Sequence, residues 1–189
     1  MSTRDPEGKR RDLLDAALKV FAARGLAGAR VDQIAQAAGC SAGLVYTYFG
    51  SKEALFDAVM DDITIQAMDT TPIDPSDLPG YAVLAYESAA SVPDVGRFSS
   101  WYQLESPPHS ATRAALVTAT QLKIALIQQA QDDGRLSTRL PAAELLIAIQ
   151  AIARMWLTLP EDVVTTADPA GSTTARAQSV RRAIEELLR

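Results

Sequence analysis

The chain has 189 residues, 18 Lys+Arg against 23 Asp+Glu for a net charge of −5, 48% hydrophobic residues, one Cys, one His and no Asn. That is enough apolar material for a core in one or two domains, and it excludes a disordered or collagen-like chain. A single Cys excludes an intramolecular disulfide and a Cys-rich zinc site, and the lack of Asn removes every Asn-x-Ser/Thr acceptor, so a reducing cytoplasm is the expected compartment.

Alternating β-branched runs are missing, while 33 Ala and many Leu, Gln, Arg and Glu favour helix, so an all-α protein is predicted. The N-terminus lacks the apolar segment and cleavage site of a secretory signal. A first helix is expected from Glu7, after Pro6, to Arg24, with Leu14, Ala17, Leu18 and Phe21 on one stripe and Gly25 as its stop. A short second helix carries Val31, Ile34, Ala35 and Ala38 at helical spacing and ends at Gly39. Ser41 then offers an N-cap for a third short helix through Phe49, and Ser51 one for a long helix reaching Ala67.

Beyond a Pro- and Asp-rich break at 70–79, helices are expected over 80–91, 94–105, 110–133 and 141–159. A polar loop at 160–172 precedes a last helix, for about nine helices in all. The longest apolar stretch, Leu145 to Leu159, is too short for a bilayer and carries Gln150 and Arg154, so no membrane span is predicted.

The net charge at first argues against a polyanionic partner. Its distribution does not. Residues 1–56 hold eight Lys/Arg and six Asp/Glu, a balance of +2, and residues 57–189 hold ten and seventeen, a balance of −7. The change of sign near Phe56 divides the chain into a region 1–56 and a region 57–189 with different partners.

The two short helices from Val31 to Phe49, joined by a Gly-Cys-Ser turn, have the proportions of a helix-turn-helix. Gly39 supplies the positive φ of the turn, and Ser41 caps the second helix while pointing toward a backbone phosphate. That helix presents Ala42, Gly43, Leu44, Tyr46, Thr47 and Tyr48 away from Val45 and Phe49, and its small first residues permit close approach to base edges. Lys52, in the first turn of the next helix, adds a cation where N–H groups already attract an anion. Arg4, Lys9, Arg10 and Arg11 form a basic arm suited to phosphates or a minor groove.

The run GLAGARVDQIAQAAGCSAGLVYTYFGSKEALFDAV, with the preceding FAARG, Ala38-Gly39-x-Ser41, Gly43, Tyr46, Phe49 and Ser51-Lys52-Glu53, resembles the DNA-binding domain of the tetracycline-repressor (TetR) family over residues 8 to about 60. The resemblance implies that Tyr46, Tyr48 and Lys52 contact operator DNA, Tyr46 and Lys52 mainly through phosphates. Arg30 departs from the Ser or Thr usual at the start of the second helix. It cannot cap as an acceptor, but it pairs with phosphate more strongly than a hydroxyl, and it is read as a DNA contact. Cys40 stands where Val is common and reads as a small buried turn residue.

Gly39-Cys40-Ser41-Ala42-Gly43 also spells the nucleophile-elbow pattern of α/β-hydrolases. That elbow needs a strand before its serine, and VDQIAQAA has a helical period. His109 follows the serine but stands beside Pro107-Pro108 with nothing to position it. No phosphate-loop or dinucleotide fingerprint occurs, and Asp61-Asp62, Asp132-Asp133 and Glu185-Glu186 are helical neighbours that point apart. No enzyme activity, metal or cofactor is expected.

In the second region, Leu145, Ile149, Ile152, Trp156 and Leu159 have the spacing of a helix-bundle seam, and Ala177, Val180, Ile184, Leu187 and Leu188 form the apolar side of the last helix. The resemblance implies a four-helix dimer interface from the last two helices, and Ile149, Ile152, Trp156, Val180, Ile184, Leu187 and Leu188 are its candidates. An intramolecular core would use the same stripes. The resemblance also places an effector cavity among the middle segments, with Tyr86, Phe98, Trp101, Tyr102, Gln121, Met155 and Trp156 as candidate lining residues, although core packing also suits each aromatic. The expected protein is a homodimeric transcriptional repressor that binds double-stranded operator DNA and a small-molecule effector. The alternative is a helical small-molecule-binding protein without DNA-binding activity.

Overall fold

Side chains cap the first turns of several helices in this chain. A computed structural model describes residues 5–105 and 114–189. In it the chain forms α1 (Pro6–Gly28), α2 (Val31–Ala37), α3 (Ala42–Phe49), α4 (Lys52–Thr70), α5 (Leu78–Ser91), α6 (Pro93–Glu105), α7 (Ala114–Asp132), α8 (Ala142–Arg154), α9 (Glu161–Ala167) and α10 (Thr173–Leu188). The described residues are all-α, with no strand among them. Arg4 and His109 lie outside the described residues.

Asp5 starts α1 by accepting from the amides of Glu7 and Gly8 at 3.1 and 3.0 Å, with Pro6 in the first turn. The positions of Lys9, Arg10 and Arg11 are therefore helical, and they do not form an extended arm. Gly25 interrupts α1 with φ +67° and ψ −178°, and a further turn follows to Gly28. Only glycine takes that conformation without strain. The space is also closed: a Cβ there would stand 2.6 Å from Glu105 Oε2 and 2.9 Å from a ring carbon of Trp101.

Two compact units are present, and neither is a single stretch of chain. The first comprises Met1–Gln66 with Pro93–Val117, the second Ala67–Val92 with Thr118–Arg189. The charge boundary at residue 56 is thus not the edge of a packed body, because α6 packs along α1. In the first unit Leu13, Leu14, Ala17 and Phe21 of α1 meet Ile34, Val45, Leu55, Phe56 and Val59, with Phe98 and Tyr102 of α6. Phe56 sits edge-on to Phe21 and to Phe98, each at 4.9 Å between ring centres, and stacks on Tyr102 at 5.2 Å. Such pairs contribute about 0.5–1.5 kcal/mol each beyond the area they bury.

The second unit is built on α5, α8 and α10. Leu78, Tyr81, Ala82 and Tyr86 pack against Leu145, Leu146, Ile149 and Ala153 and against Ala177, Val180 and Ile184, with Ile127 of α7. Ile149, Val180 and Ile184, expected at a dimer seam, are thus fully buried within their own chain. Their stripes meet each other before any partner is needed.

Two boundaries differ from expectation. Helix α8 ends at Arg154, where the amides of Met155 and Leu157 bond three residues back at 3.1 and 2.9 Å. Pro160 disfavours helical backbone at Leu159. The predicted polar loop at 160–172 contains α9, which begins after Pro160 and carries Glu161 and Asp162 in its first turn, where the helix dipole favours them. Among the described residues no helix is long and apolar enough to cross a membrane.

The Gly25 geometry sets the first prediction. Gly25→Ala should destabilise the protein by about 2–3 kcal/mol through backbone strain and the clash with Trp101, read as a lower urea midpoint with an unchanged m-value.

Candidate nucleic-acid interface

The turn between α2 and α3 is held by the backbone. After Ala38, Gly39 takes φ +62°; its amide bonds to Gln36 O at 3.1 Å, and the Cys40 amide bonds to Ala35 O at 2.9 Å. These are the two bonds of a Schellman motif, whose next residue characteristically makes an apolar contact. Cys40 makes it: half-buried, it packs on the first-unit core.

Ser41 then caps α3, its hydroxyl accepting from the Leu44 amide at 3.4 Å. Val45 is buried, and Ala42, Leu44, Tyr48 and Phe49 are half-buried. Gly43, Tyr46 and Thr47 face outward, with Tyr46 at 50% exposure. The Thr47 hydroxyl donates to Gly43 O at 2.9 Å, and the Tyr48 hydroxyl donates across to Pro6 O at 3.2 Å. Tyr48 thereby ties α3 to the start of α1, a role its sequence position does not signal.

Lys52 is half-buried, and its ammonium donates to Ala29 O at 3.1 Å, which leaves two further hydrogens. Ser51 caps the same helix by accepting from the Ala54 amide at 3.0 Å. Arg30 occupies the cap position of α2 without a side-chain cap bond. Its side chain is 74% exposed and approaches Asp32 at 3.8 Å, a separation at which a solvated pair holds the guanidinium weakly. Within the expected basic cluster, Lys9 donates to Ala38 O at 2.6 Å and Arg10 lies over the Phe49 ring at 5.4 Å. Lys9 thus adds a second hold on the end of α2. Behind them on α4, burial pushes the Asp61 carboxyl up, with Asp57 adding to the shift and Arg10 opposing it. Burial likewise raises the Asp62 carboxyl against Arg10.

The candidate effector residues divide between the two units. Phe98 and Tyr102 are buried in the first-unit aromatic cluster, the Tyr102 hydroxyl donates to Asp57 at 2.8 Å, and Trp101 packs beside them. Tyr86 is buried in the second unit, where burial raises its phenol, and Met155 and Trp156 pack on the same core. Trp156 donates to Ser179 Oγ at 2.7 Å, beneath the Arg176 guanidinium, which itself pairs with Asp168 at 2.9 Å. Gln121 is exposed on α7. Among the dimer candidates, Ile152, Trp156, Leu187 and Leu188 are half-buried. The outward face of α8 is instead a shallow apolar groove of about 390 Å³ lined by Ala143, Glu144, Ile147, Ala148 and Ala151. Helical spacing marks these positions too, but the stripe on the opposite face is the more hydrophobic of the two.

Glu105 carries no sequence signal of its own. At the end of α6, its carboxylate accepts from the amides of Leu26 and Ala27, the latter at 3.3 Å.

Comparison with known proteins divides the chain by sequence instead, between residues 59 and 77, with α6 inside the C-terminal match. Residues 77–187 match the model described as "Tetracyclin repressor-like, C-terminal domain", and residues 13–59 the model "Bacterial regulatory proteins, tetR family". The HTH-type transcriptional repressor SCO4008 of Streptomyces coelicolor is 31% identical over 165 residues, covering 85% of this chain and 84% of that protein. The crystal structure of SCO4942 from Streptomyces coelicolor superposes with a TM-score of 0.83 at 35% identity, covering 95% of this chain and 97% of that one. FadR from Bacillus subtilis, solved with stearoyl-CoA, shares the fold at a TM-score of 0.70 and 18% identity, over 93% of this chain and 97% of that one.

The left-handed turn gives the second prediction. Nothing lies within 4 Å of a Cβ built on Gly39, so Gly39→Ala should cost only the backbone term, about 1–2 kcal/mol. Gly39→Asn should cost less, since Asn tolerates that region better, and denaturant titration of both variants measures the difference.

Proposed function

The chain belongs to the tetR family of bacterial regulatory proteins, DNA-binding transcriptional regulators and not enzymes, and from that premise we propose that it is a homodimeric repressor released from operator DNA by a small-molecule effector. The observation that carries the reading is the outward face of α3, where Gly43, Tyr46 and Thr47 are exposed, together with the exposed Arg30 and with Lys52, whose ammonium sits on the carbonyl of Ala29, the chain neighbour of Arg30. Small residues at the start of α3 suit close approach to base edges, with Ala42 and Leu44 near enough for thymine methyls. Ser41, Tyr46, Arg30 and Lys52 act on phosphates and fix register. Thr47 and Tyr48 border the same face, Tyr48 with its hydroxyl already engaged. Two copies of α3 reach successive major grooves when their separation is about 34–36 Å.

The second copy is seated, in this reading, on the groove of α8. Ile147 is 58% exposed at its centre, between Ala143 and Ala151. Ile152, Leu187 and Leu188 lie at the margins of the same unit's core and extend that face. Ile149, Val180 and Ile184 support it from within. The effector acts on the second unit, where Tyr86, Met155 and Trp156 share one core. It releases DNA only by binding the two states of the dimer unequally.

Arg30 is the cleanest probe because its loss removes only a solvated ion pair. Arg30→Ala should leave the unfolding midpoint unchanged, weaken binding to the protein's own upstream DNA, and flatten the salt dependence by about 0.9 for each phosphate left without its guanidinium. An unchanged slope and affinity would remove Arg30 from the interface.

Ile147→Asp should convert the dimer to a folded monomer in sedimentation velocity, with binding to palindromic DNA weakened in parallel. A wild-type protein that sediments as a monomer across the micromolar range would overturn the dimeric reading.

A further inference from the structure

The break in α1 creates a capping problem that a residue distant in sequence solves. Gly25 turns the chain out of helix, and the short turn that follows begins at Leu26 and Ala27. Both amides are taken by the two carboxylate oxygens of Glu105. A charged acceptor on two backbone amides is among the stronger hydrogen-bonded arrangements available to a half-buried site.

What lies immediately beyond that turn gives the cap its consequence. The Ala29 carbonyl accepts from Lys52, and the Arg30 carbonyl accepts from the amides of Gln33 and Ile34 at 3.1 and 3.3 Å, starting α2. The peptide segment held by Glu105 therefore carries the oxygen that seats the Lys52 ammonium and leads directly into the backbone from which Arg30 projects. Glu105 itself is held without help from its carboxylate. One turn back on α6, Trp101 lies against Gly25 and Tyr102 donates to Asp57, and two turns back Phe98 sits against Phe21 and Phe56.

We propose that Glu105 is a positioning residue for the DNA site, fixing Arg30 and Lys52 at phosphate distance by clamping the turn after Gly25. The proposal rests on the DNA-binding reading above. It makes α6 a part of the operator interface that touches no DNA.

The test uses the full chain with its own upstream operator DNA. In Glu105→Ala, amide hydrogen exchange at Leu26 and Ala27 should quicken about tenfold with the loss of a charge-assisted cap, and operator affinity should fall by a similar factor with a flatter salt slope. Glu105→Gln keeps one accepting oxygen for the two amides and should restore part of both. Added to the Arg30→Ala, Lys52→Ala double variant, Glu105→Ala should cause little further loss, because it acts through those two phosphate contacts. Glu105→Asp draws the carboxylate back by one methylene and should behave like the alanine variant, and it carries the test if that variant unfolds. Faster exchange with unchanged affinity, unchanged exchange, or full additivity with the Arg30→Ala, Lys52→Ala pair each overturns the proposal. A wild-type chain that fails to bind its upstream DNA overturns the DNA reading itself, and is told apart because no variant is then needed.

Discussion

Phe56 touches Phe21, Phe98 and Tyr102 at once, and the placement of α2 and α3 depends on that packing. It joins the middle of α1, the start of α4 and the length of α6 in one desolvated cluster. A core of this density transmits displacement, since its side chains have no spare volume in which to relax. Helices α2 and α3 are too short to be stable alone. They hold their orientation because Val31, Ile34, Ala35 and Val45 are buried in the same cluster that Phe56 organises.

Around this core the polar bonds form a second layer with a common feature. Lys9 to Ala38, Lys52 to Ala29, Tyr48 to Pro6 and Glu105 to Leu26 and Ala27 are all side-chain bonds to backbone at helix ends. All but Tyr48 to Pro6 satisfy a group that the helices leave open. None joins two side chains, so their geometry follows the backbone closely and loses little to rotamer freedom at the receiving end. That is an economical way to fix the relative placement of five helices, α1, α2, α3, α4 and α6.

The helix-turn-helix is legible in the sequence because its determinants are local. Gly39 and Ser41 each act within four residues of themselves, and a left-handed turn followed by a cap has the same meaning wherever it occurs. The stop at Gly25 is legible for the same reason. The roles of Phe98 and Tyr102 are not, because an aromatic stripe states that a residue is buried without stating against what. Core packing and an effector cavity both suit them in sequence, and they pack with Phe21 and Phe56, residues more than forty positions away. The apolar face of α8 misleads in a related way: two stripes compete on one helix, and the richer one closes the core while the poorer one, Ala143, Ile147 and Ala151, is left outside. Glu105 cannot be found from sequence at all, since its partners are backbone amides, which every residue but proline offers.

On the DNA-binding reading, the distribution of hydroxyls also limits how sequence is read. Thr47 donates to the helix backbone and Tyr48 to Pro6, so of the hydroxyls on α3 only Tyr46 keeps its proton for DNA. The chain has no Asn, and α3 carries no Gln, Arg or Lys to grip a purine edge with two bonds. Discrimination then falls on apolar contact with thymine methyls and on groove shape, both weaker per base pair than a bidentate pair. Affinity must come from phosphates, and here the charge balance matters. A first region with a balance of only +2, on a chain with a net charge of −5, attracts non-specific DNA weakly. Low background binding lets modest base discrimination suffice, because selectivity is the ratio of the two affinities and not the specific affinity alone. The acidic surplus, which at first argues against a nucleic-acid partner, is what a recognition helix poor in purine-gripping side chains requires.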